Sequence, residues 1–273
     1  MKTQPLFDHL PQIASSIRDA SHVFLSLDFD GTLAPINVNP GVASMPLETR
    51  RALRTLEAGH RSSVAIISGR ALPDLRERVR MDEIVYAGNH GLEIIGPGLH
   101  FIEPTAARRV EALEELARHL QVRLRHIPGV EVESKVFTAS IHFRRASESS
   151  LGEVHRTIQT ALAPIVDLFQ VTQGLQVFEI RPRVNWHKGL AVRWIREALG
   201  RSDALSLYIG DDLTDEDAFR ALPDGITISV GRTSGTCARY YIELQDSVQE
   251  FLQWLARQLG NGATVAQHRA AEL

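Results

Sequence analysis

Cysteine is almost absent. The single Cys237 in 273 residues excludes an internal disulfide and a cysteine-based metal cluster, and its expected place is that of a small buried hydrophobe. Long apolar runs are absent too: no stretch approaches the 18 residues of a membrane span, so no membrane partner is expected. Basic excess is the third absence. Thirty Lys and Arg face 33 Asp and Glu, the net charge is −3, and no basic run breaks the pattern, which argues against nucleic acid. The opening MKTQPLFDHLPQ has no apolar segment after its lysine, so a soluble, cytoplasmic chain is expected. No internal repeat of 20–50 residues is visible. What remains, 44% apolar and 23% charged, is an ordinary globule long enough for a core and a smaller second unit; oligomeric state is left open.

Four polar clusters stand in fixed order: DFDGTL at Asp28–Leu33, ISGR at Ile67–Arg70, Lys188 in NWHKG, and GDDLTDED at Gly210–Asp217. Each sits where a run of Val, Ile, Leu and Phe has just ended or where a helix begins. Active sites of open α/β sheets gather there, outside the carboxyl ends of the strands. Two acids, a hydroxyl, a lysine and three more acids at one sheet edge suit Mg²⁺ and a phosphoryl group.

Buried-strand patterns fall at His22–Leu27, Ser63–Ile67 and Ile84–Ala87, with helices at Pro46–Leu56 and Pro73–Val79 between them. That alternation predicts a parallel sheet. Next come an amphipathic helix, Thr105–Val122, strands at Val130–Ser134 and Val136–Phe143, and a helix at Ser147–Ala161. Strands at Val166–Thr172 and Leu175–Ile180 flank a Gln173-Gly174 turn. The first pattern then resumes, with a helix at His187–Leu199, a strand at Leu205–Ile209, a helix at Asp215–Leu222, a strand at Ile226–Val230 and a last helix at Ser247–Leu259; Asn261–Leu273 is expected to fray. The fold class is α/β: a Rossmann-like parallel-sheet core, residues 1–103 and 183–273, with an inserted α+β (αββαββ) domain at 104–182.

Asp28 ends the first strand and Asp30 lies two residues on, so both carboxylates are expected to point the same way. Such a pair resists joint ionisation unless a cation sits between them. Alone, a DxDG string reads as an Asx turn before Gly31; beside the other clusters it reads as chemistry. Asp28 is the candidate nucleophile, forming an aspartyl-phosphate, and Asp30 the acid/base. Backbone N–H groups around Gly31 and Thr32 can hold phosphate oxygens. Ser68 would hold a phosphoryl oxygen; Lys188 would stabilise charge. Asp211 is the expected direct metal ligand, with Asp212 and Asp215 holding metal waters or orienting Lys188. Thr214 and Asp217 fit a capping box for the next helix, and Glu216 is expected to be structural as well.

In the order and identity of all four clusters, the chain resembles the haloacid dehalogenase-like phosphatase superfamily, and the insert resembles its type IIB cap. LDFDGTLAPI, IISGR, GNHGLE, ESK with SIHFR, EIRPRVNWHKG and GDDLTDEDAF together resemble the trehalose-6-phosphate phosphatase family, over about Val23 to Val230. The resemblance implies Mg²⁺-dependent hydrolysis of trehalose 6-phosphate, with the metal on the Asp28 carboxylate, the Asp30 carbonyl and Asp211. It also implies substrate contacts at Gly69 and Arg70 of the second cluster, at Asn89, His90 and Gly91, at Glu133 and Lys135, at His142 and Arg144, and at Glu179. A phosphatase for another sugar phosphate, such as sucrose 6-phosphate, or a phosphomutase stands as the nearest alternative. A phosphoacceptor switch or a regulatory domain without catalysis stands further off: a switch needs neither Asp30 nor an inserted lid, and loss of catalysis usually removes one of Asp28, Asp30, Lys188 or Asp211.

Overall fold

The structure, a computed structural model, describes residues 3–36, 42–174 and 176–270, with side chains as far as Gly260. The chain divides into two compact units, one formed by residues 1–101 and 187–273, the other by 102–186.

The first unit is built on a nine-stranded sheet. Its first elements are β1 (Gln4–Pro5), α1 (Leu10–Asp19), β2 (Val23–Leu27), α2 (Leu47–Glu57), β3 (Ser62–Ile67), α3 (Leu72–Val79), β4 (Val85–Gly88), β5 (Glu93–Gly96) and β6 (Leu99–Ile102). Every residue of β2 is buried, as expected for a strand covered on both faces.

The second unit carries α4 (Pro104–Arg108), α5 (Val110–Leu124), β7 (Glu131–Ser134), β8 (Ala139–His142), α6 (Leu151–Leu162), β9 (Phe169–Gly174) and β10 (Val177–Pro182). Its sheet runs β7-β8-β10-β9, all antiparallel. Leu113, Leu116 and Leu120 of α5 and Val154, Ile158 and Leu162 of α6 pack with Ile141, Phe178 and Ile180 into a core of the unit's own. Period-two alternation leaves Glu133, Ser140 and Glu179 in register on the sheet's other face.

The chain then returns to the first unit with α7 (Lys188–Ala198), β11 (Leu205–Gly210), α8 (Glu216–Ala221), β12 (Ile226–Val230), β13 (Tyr240–Ile242) and α9 (Asp246–Ala270). The large sheet runs β1-β13-β12-β11-β2-β3-β4-β5-β6, parallel from β1 to β4. From β2 the chain builds outward to β3 and β4, then comes back to lay β11 on the other side of β2. The reversal opens a crevice between these two neighbours at their carboxyl ends.

Four local expectations need correction. The helix expected at Thr105–Val122 is two helices. Glu103 caps the first, accepting from the Ala106 N–H at 2.6 Å, and Pro104 starts it; Arg109 then leaves helical geometry (φ −104°, ψ 0°) and donates to the Leu168 and Arg183 carbonyls. Gln173 and Gly174 belong to β9, paired with Phe178 and Val177, and the connection falls at residues 175–176, where Gln176 has φ 58°. Leu175, the expected start of the next strand, lies outside the described residues. The helix expected to stop at Leu259 continues to Ala270, and residues 271–273 lie outside the description. Cys237 is exposed, not buried: it sits on the loop before β13, and Glu216 accepts its backbone N–H at 2.7 Å.

Candidate active site

Asp28 follows β2 and Asp211 follows β11, the two strands that flank the crevice; the Asp28 N–H still donates to the Ile209 carbonyl at 2.9 Å, so the ladder carries the carboxylate to the sheet edge. Lys188 is the first residue of α7, where the helix dipole disfavours a cation. Two buried acids offset that cost. Its Nζ donates to Asp28 Oδ1 at 2.6 Å and to Asp215 Oδ1 at 2.7 Å, and all three side chains are at most 6% exposed. Asp215 is saturated from other sides as well, by the Tyr208 hydroxyl at 2.7 Å and the Asp212 N–H at 3.0 Å.

Burial pushes the Asp28 carboxyl well above the usual carboxylate range, against the pull of Lys188. For Lys188, burial works downward, but Asp215 and Asp28 outweigh it and hold the ammonium charged beyond its ordinary range. Asp211 is pushed up to about 7, by burial first and then by the charge of Asp215. Burial and the same charge raise Tyr208. These are surplus negative charges in a site short of cations.

A divalent metal fits this donor set. Asp28, Asp211 and Asp215 can each bring an oxygen within 4.8 Å of the others, and Oδ1 of Asp211 is buried without a hydrogen-bond partner among the described residues. Because Asp215 is already taken by Lys188, Tyr208 and a backbone N–H, Asp28 and Asp211 are the side chains able to turn to a metal. Mg²⁺ keeps several waters, so few protein ligands suffice. Gly31, at φ 80°, permits the approach: a Cβ there would collide with the Asp211 carboxylate.

Asp30 departs from expectation. Its carboxylate is not among the acids gathered around Asp28. Arg70 grips it with Nε at 2.7 Å and Nη2 at 2.5 Å, while the Arg70 Nη1 donates to Asp74 at 2.8 Å. The chain turns after Asp28, with Leu33 and Ala34 both donating to the Phe29 carbonyl, so the extended geometry behind the expectation ends there. Asp212 also departs: its exposed carboxylate accepts from Leu213 N–H, and with Asp215 it forms the capping box that had been expected of Thr214 and Asp217. A carboxylate spent on a cap at the very start of a 3₁₀ turn is not gathered with the other acids. Glu216 anchors the loop before β13, accepting from Arg232 at 2.9 Å and from Cys237 N–H.

The ISGR and GNHG strings meet at the ends of the paired strands β3 and β4. Ser68 N–H donates to the Ala87 carbonyl, His90 N–H to that of Ser68 and Asn89 N–H to that of Arg70, each at 2.8–2.9 Å. The Ser68 hydroxyl accepts the Arg70 N–H at 3.2 Å. A Cβ on Gly69 would meet the His90 ring at 2.7 Å. Asn89 and His90 sit at φ 50° and 60°, and with Gly91 they are buried. Thr32 is fully buried, its carbonyl accepting from Gln245 at 2.7 Å.

In the second unit, His142 pairs with Glu133 at 2.8 Å, and Lys135 lies 3.6 Å from Glu179. Lys135 and Glu179 are about nine-tenths buried as side chains, so they form a built polar pair rather than a solvated surface. Arg144 follows β8 by two residues. His126, without an evident partner in the sequence, meets Glu153 at 2.8 Å. The residues sequence reasoning missed are Tyr208 and Asp74. Tyr208 lies inside a buried strand run, where a tyrosine signals only β-propensity; Asp74 lies in the first turn of α3, where an acid is ordinary helix chemistry.

The fold and the site define an α/β protein of one class: a parallel sheet with acids and a lysine at its switch point, interrupted by an α+β unit. A haloacid dehalogenase-like hydrolase from Bacteroides thetaiotaomicron shares the fold, with a TM-score of 0.60 at 16% identity over 86% of this chain and 99% of that one. The chain belongs to the trehalose-phosphatase family, whose profile matches residues 26–241. The trehalose-phosphate phosphatase of Mycobacterium bovis is 38% identical over 241 residues, covering 85% of this chain and 61% of the relative, so the chain spans about three fifths of that protein's length. The C-terminal domain of the C. albicans trehalose-6-phosphate phosphatase has the same fold, with a TM-score of 0.79 at 23% identity over 93% of this chain and 98% of that one. No helix among the described residues is long and apolar enough to cross a membrane.

Proposed function

We propose that the chain hydrolyses trehalose 6-phosphate to trehalose and inorganic phosphate. The observation that carries the reading is the buried cluster at the β2–β11 crevice: Asp28 held by Lys188, Lys188 held by Asp215, and Asp211 beside them with an unspent oxygen. Family membership supports the substrate.

An Asp28 carboxylate oxygen attacks phosphorus as the bond from phosphorus to the sugar oxygen breaks, and Asp30 delivers its proton to that oxygen. Asp30, now ionised, takes a proton from a water that attacks phosphorus, breaking the bond to Asp28 and releasing phosphate. Lys188 keeps Asp28 oriented and balances charge throughout. The Ser68 hydroxyl and the N–H groups near Gly31 and Thr32 hold phosphoryl oxygens. Mg²⁺, held by the Asp28 and Asp211 carboxylates and the Asp30 carbonyl, would offset the charge of the incoming dianion. Asn89, His90, Gly91, Glu133, Lys135, His142, Arg144 and Glu179 bond the sugar hydroxyls and choose among phosphate esters.

Phosphate release from a panel of sugar phosphates, with Mg²⁺ and after exhaustive chelation, tests this. Trehalose 6-phosphate should lead the panel and chelation should abolish turnover. Preference for sucrose 6-phosphate, or full activity without metal, would refute the substrate or the metal assignment respectively.

A further inference from the structure

We infer that Arg70 is a positioning residue for the acid/base Asp30, and that its guanidinium serves to aim that carboxyl group rather than to bind the phosphoryl group, a contact left to Ser68. This inference rests on the phosphatase reading above.

Exposure separates the two roles. The Arg70 side chain is 11% exposed, whereas that of Asp30 is 41% exposed. The guanidinium therefore lies behind the carboxylate, and the carboxylate is what meets solvent. A fork with two parallel N–H bonds fixes the plane of a carboxyl group as well as its place, which a single charge cannot do. Each Asp30 oxygen has a second lone pair, so the grip leaves capacity to give or take a proton.

The fork is itself held. Its main chain is fixed from both sides, N–H to the Ser68 hydroxyl and C=O to the Asn89 N–H. Its remaining arm is taken by Asp74 on α3, and Phe29 lies under the guanidinium at 5.4 Å. Asp74 in turn accepts from Arg78, whose other arm donates to the Ala43 carbonyl at 2.7 Å. A chain of paired groups thus runs from helix α3 to the turn after β2, and its terminal member is Asp30. An arginine meant for a dianionic substrate would not be spent on two carboxylates.

The alcohol leaving a sugar phosphate needs a proton; nitrophenolate does not. The later attack of water on the aspartyl-phosphate is common to both esters, but kcat/KM reports only the steps up to release of the alcohol, so in kcat/KM a misaimed Asp30 should be felt by one ester and not the other. Arg70→Gln is expected to lower kcat/KM for trehalose 6-phosphate by about 10²-fold, and that for p-nitrophenyl phosphate by less than about threefold, on the scale general acids contribute. Arg70→Lys should lose nearly as much as Arg70→Gln, since an ammonium keeps the charge but not the fork. Asp30→Asn combined with Arg70→Gln should be no worse than Asp30→Asn alone. Asp74 retains Arg78 in these variants, and circular dichroism reports folding; should Arg70→Gln fail to fold, Arg70→Lys carries the same comparison. Equal losses on both esters, near-full activity of Arg70→Lys, or multiplying losses in the double variant would overturn the inference and make Arg70 a phosphate contact. A wild-type chain that releases no phosphate from trehalose 6-phosphate overturns the functional reading itself, before any variant is made, and this inference falls with it.

Discussion

At the residue scale, Lys188 decides most. It lies between two buried carboxylates, and its removal leaves them without their cation. Breaking a buried ion pair from one side costs about 3–5 kcal/mol. Lys188→Met should lower the melting temperature, and it should lower kcat by about 10²–10³-fold, the scale of one lost electrostatic stabiliser. The sign of its pH dependence follows from Asp28. Burial holds that carboxyl above its unfolded value, and the lysine opposes this. Both folded chains therefore hold a proton on Asp28 that the unfolded chain gives up near pH 4, and without the lysine the folded chain holds it to a higher pH than wild type does. The stability deficit of the variant should grow as pH rises through the window above that value in which wild-type Asp28 ionises and the variant's does not, and shrink as pH falls below it, in melts of both proteins. A deficit independent of pH would mean that Asp28 is not the group left uncompensated.

At the scale of elements, the two units pose different questions. In the first, α7 and α8 cross so closely that a Cβ on Gly189 would run into the Asp217 backbone carbonyl and meet the Ala221 Cβ at 2.9 Å. Gly189→Ala should push the helices apart, costing about 1–3 kcal/mol, as overpacking does, and should lower kcat by moving the neighbouring Lys188. An unchanged melt would show that the crossing can yield. In the second unit, Glu133 pairs with His142 on the sheet face away from its helices. Glu133→Ala should lower kcat/KM for trehalose 6-phosphate by roughly 10- to 100-fold, the cost of an unpaired polar group, and scarcely affect p-nitrophenyl phosphate. Equal losses on both would give Glu133 a structural role.

Legibility also divides by element. Buried parallel strands and amphipathic helices were visible because apolar period and length encode them: β2, β3, β11 and β12 begin and end within a residue or two of expectation. The two-residue β1, α1, the strands β5 and β6, and β13 were not. The four strands span only two to four residues each, too short to show a period, and β1 and β13 form by pairing with each other across the chain; α1 does carry Ile13, Ala14 and Ile17 at helical spacing, behind Pro11. The clusters of the site were legible as strings, and the structure brings Asp28, Lys188, Asp211 and Asp215 together. The partners of individual acids were not legible. Asp30 goes to Arg70 and Asp212 to a cap because of where the backbone turns, and spacing along an assumed strand does not contain that turn.

At the scale of the whole molecule, the first unit is assembled from both ends of the chain and the second is one uninterrupted stretch. A sheet whose switch point gathers residues 28, 188, 211 and 215 commits distant parts of the sequence to one reaction site. At that site Asp28 is the proposed nucleophile. Phosphate release from trehalose 6-phosphate by Asp28→Asn, measured beside wild type with Mg²⁺ present and with circular dichroism of both, tests it most directly. An amide is nearly isosteric with a carboxylate but a poor nucleophile, so the variant should fold as wild type and lose at least about 10³-fold in kcat. A folded variant that keeps activity within about tenfold of wild type, about 1.4 kcal/mol of barrier, would contradict that assignment.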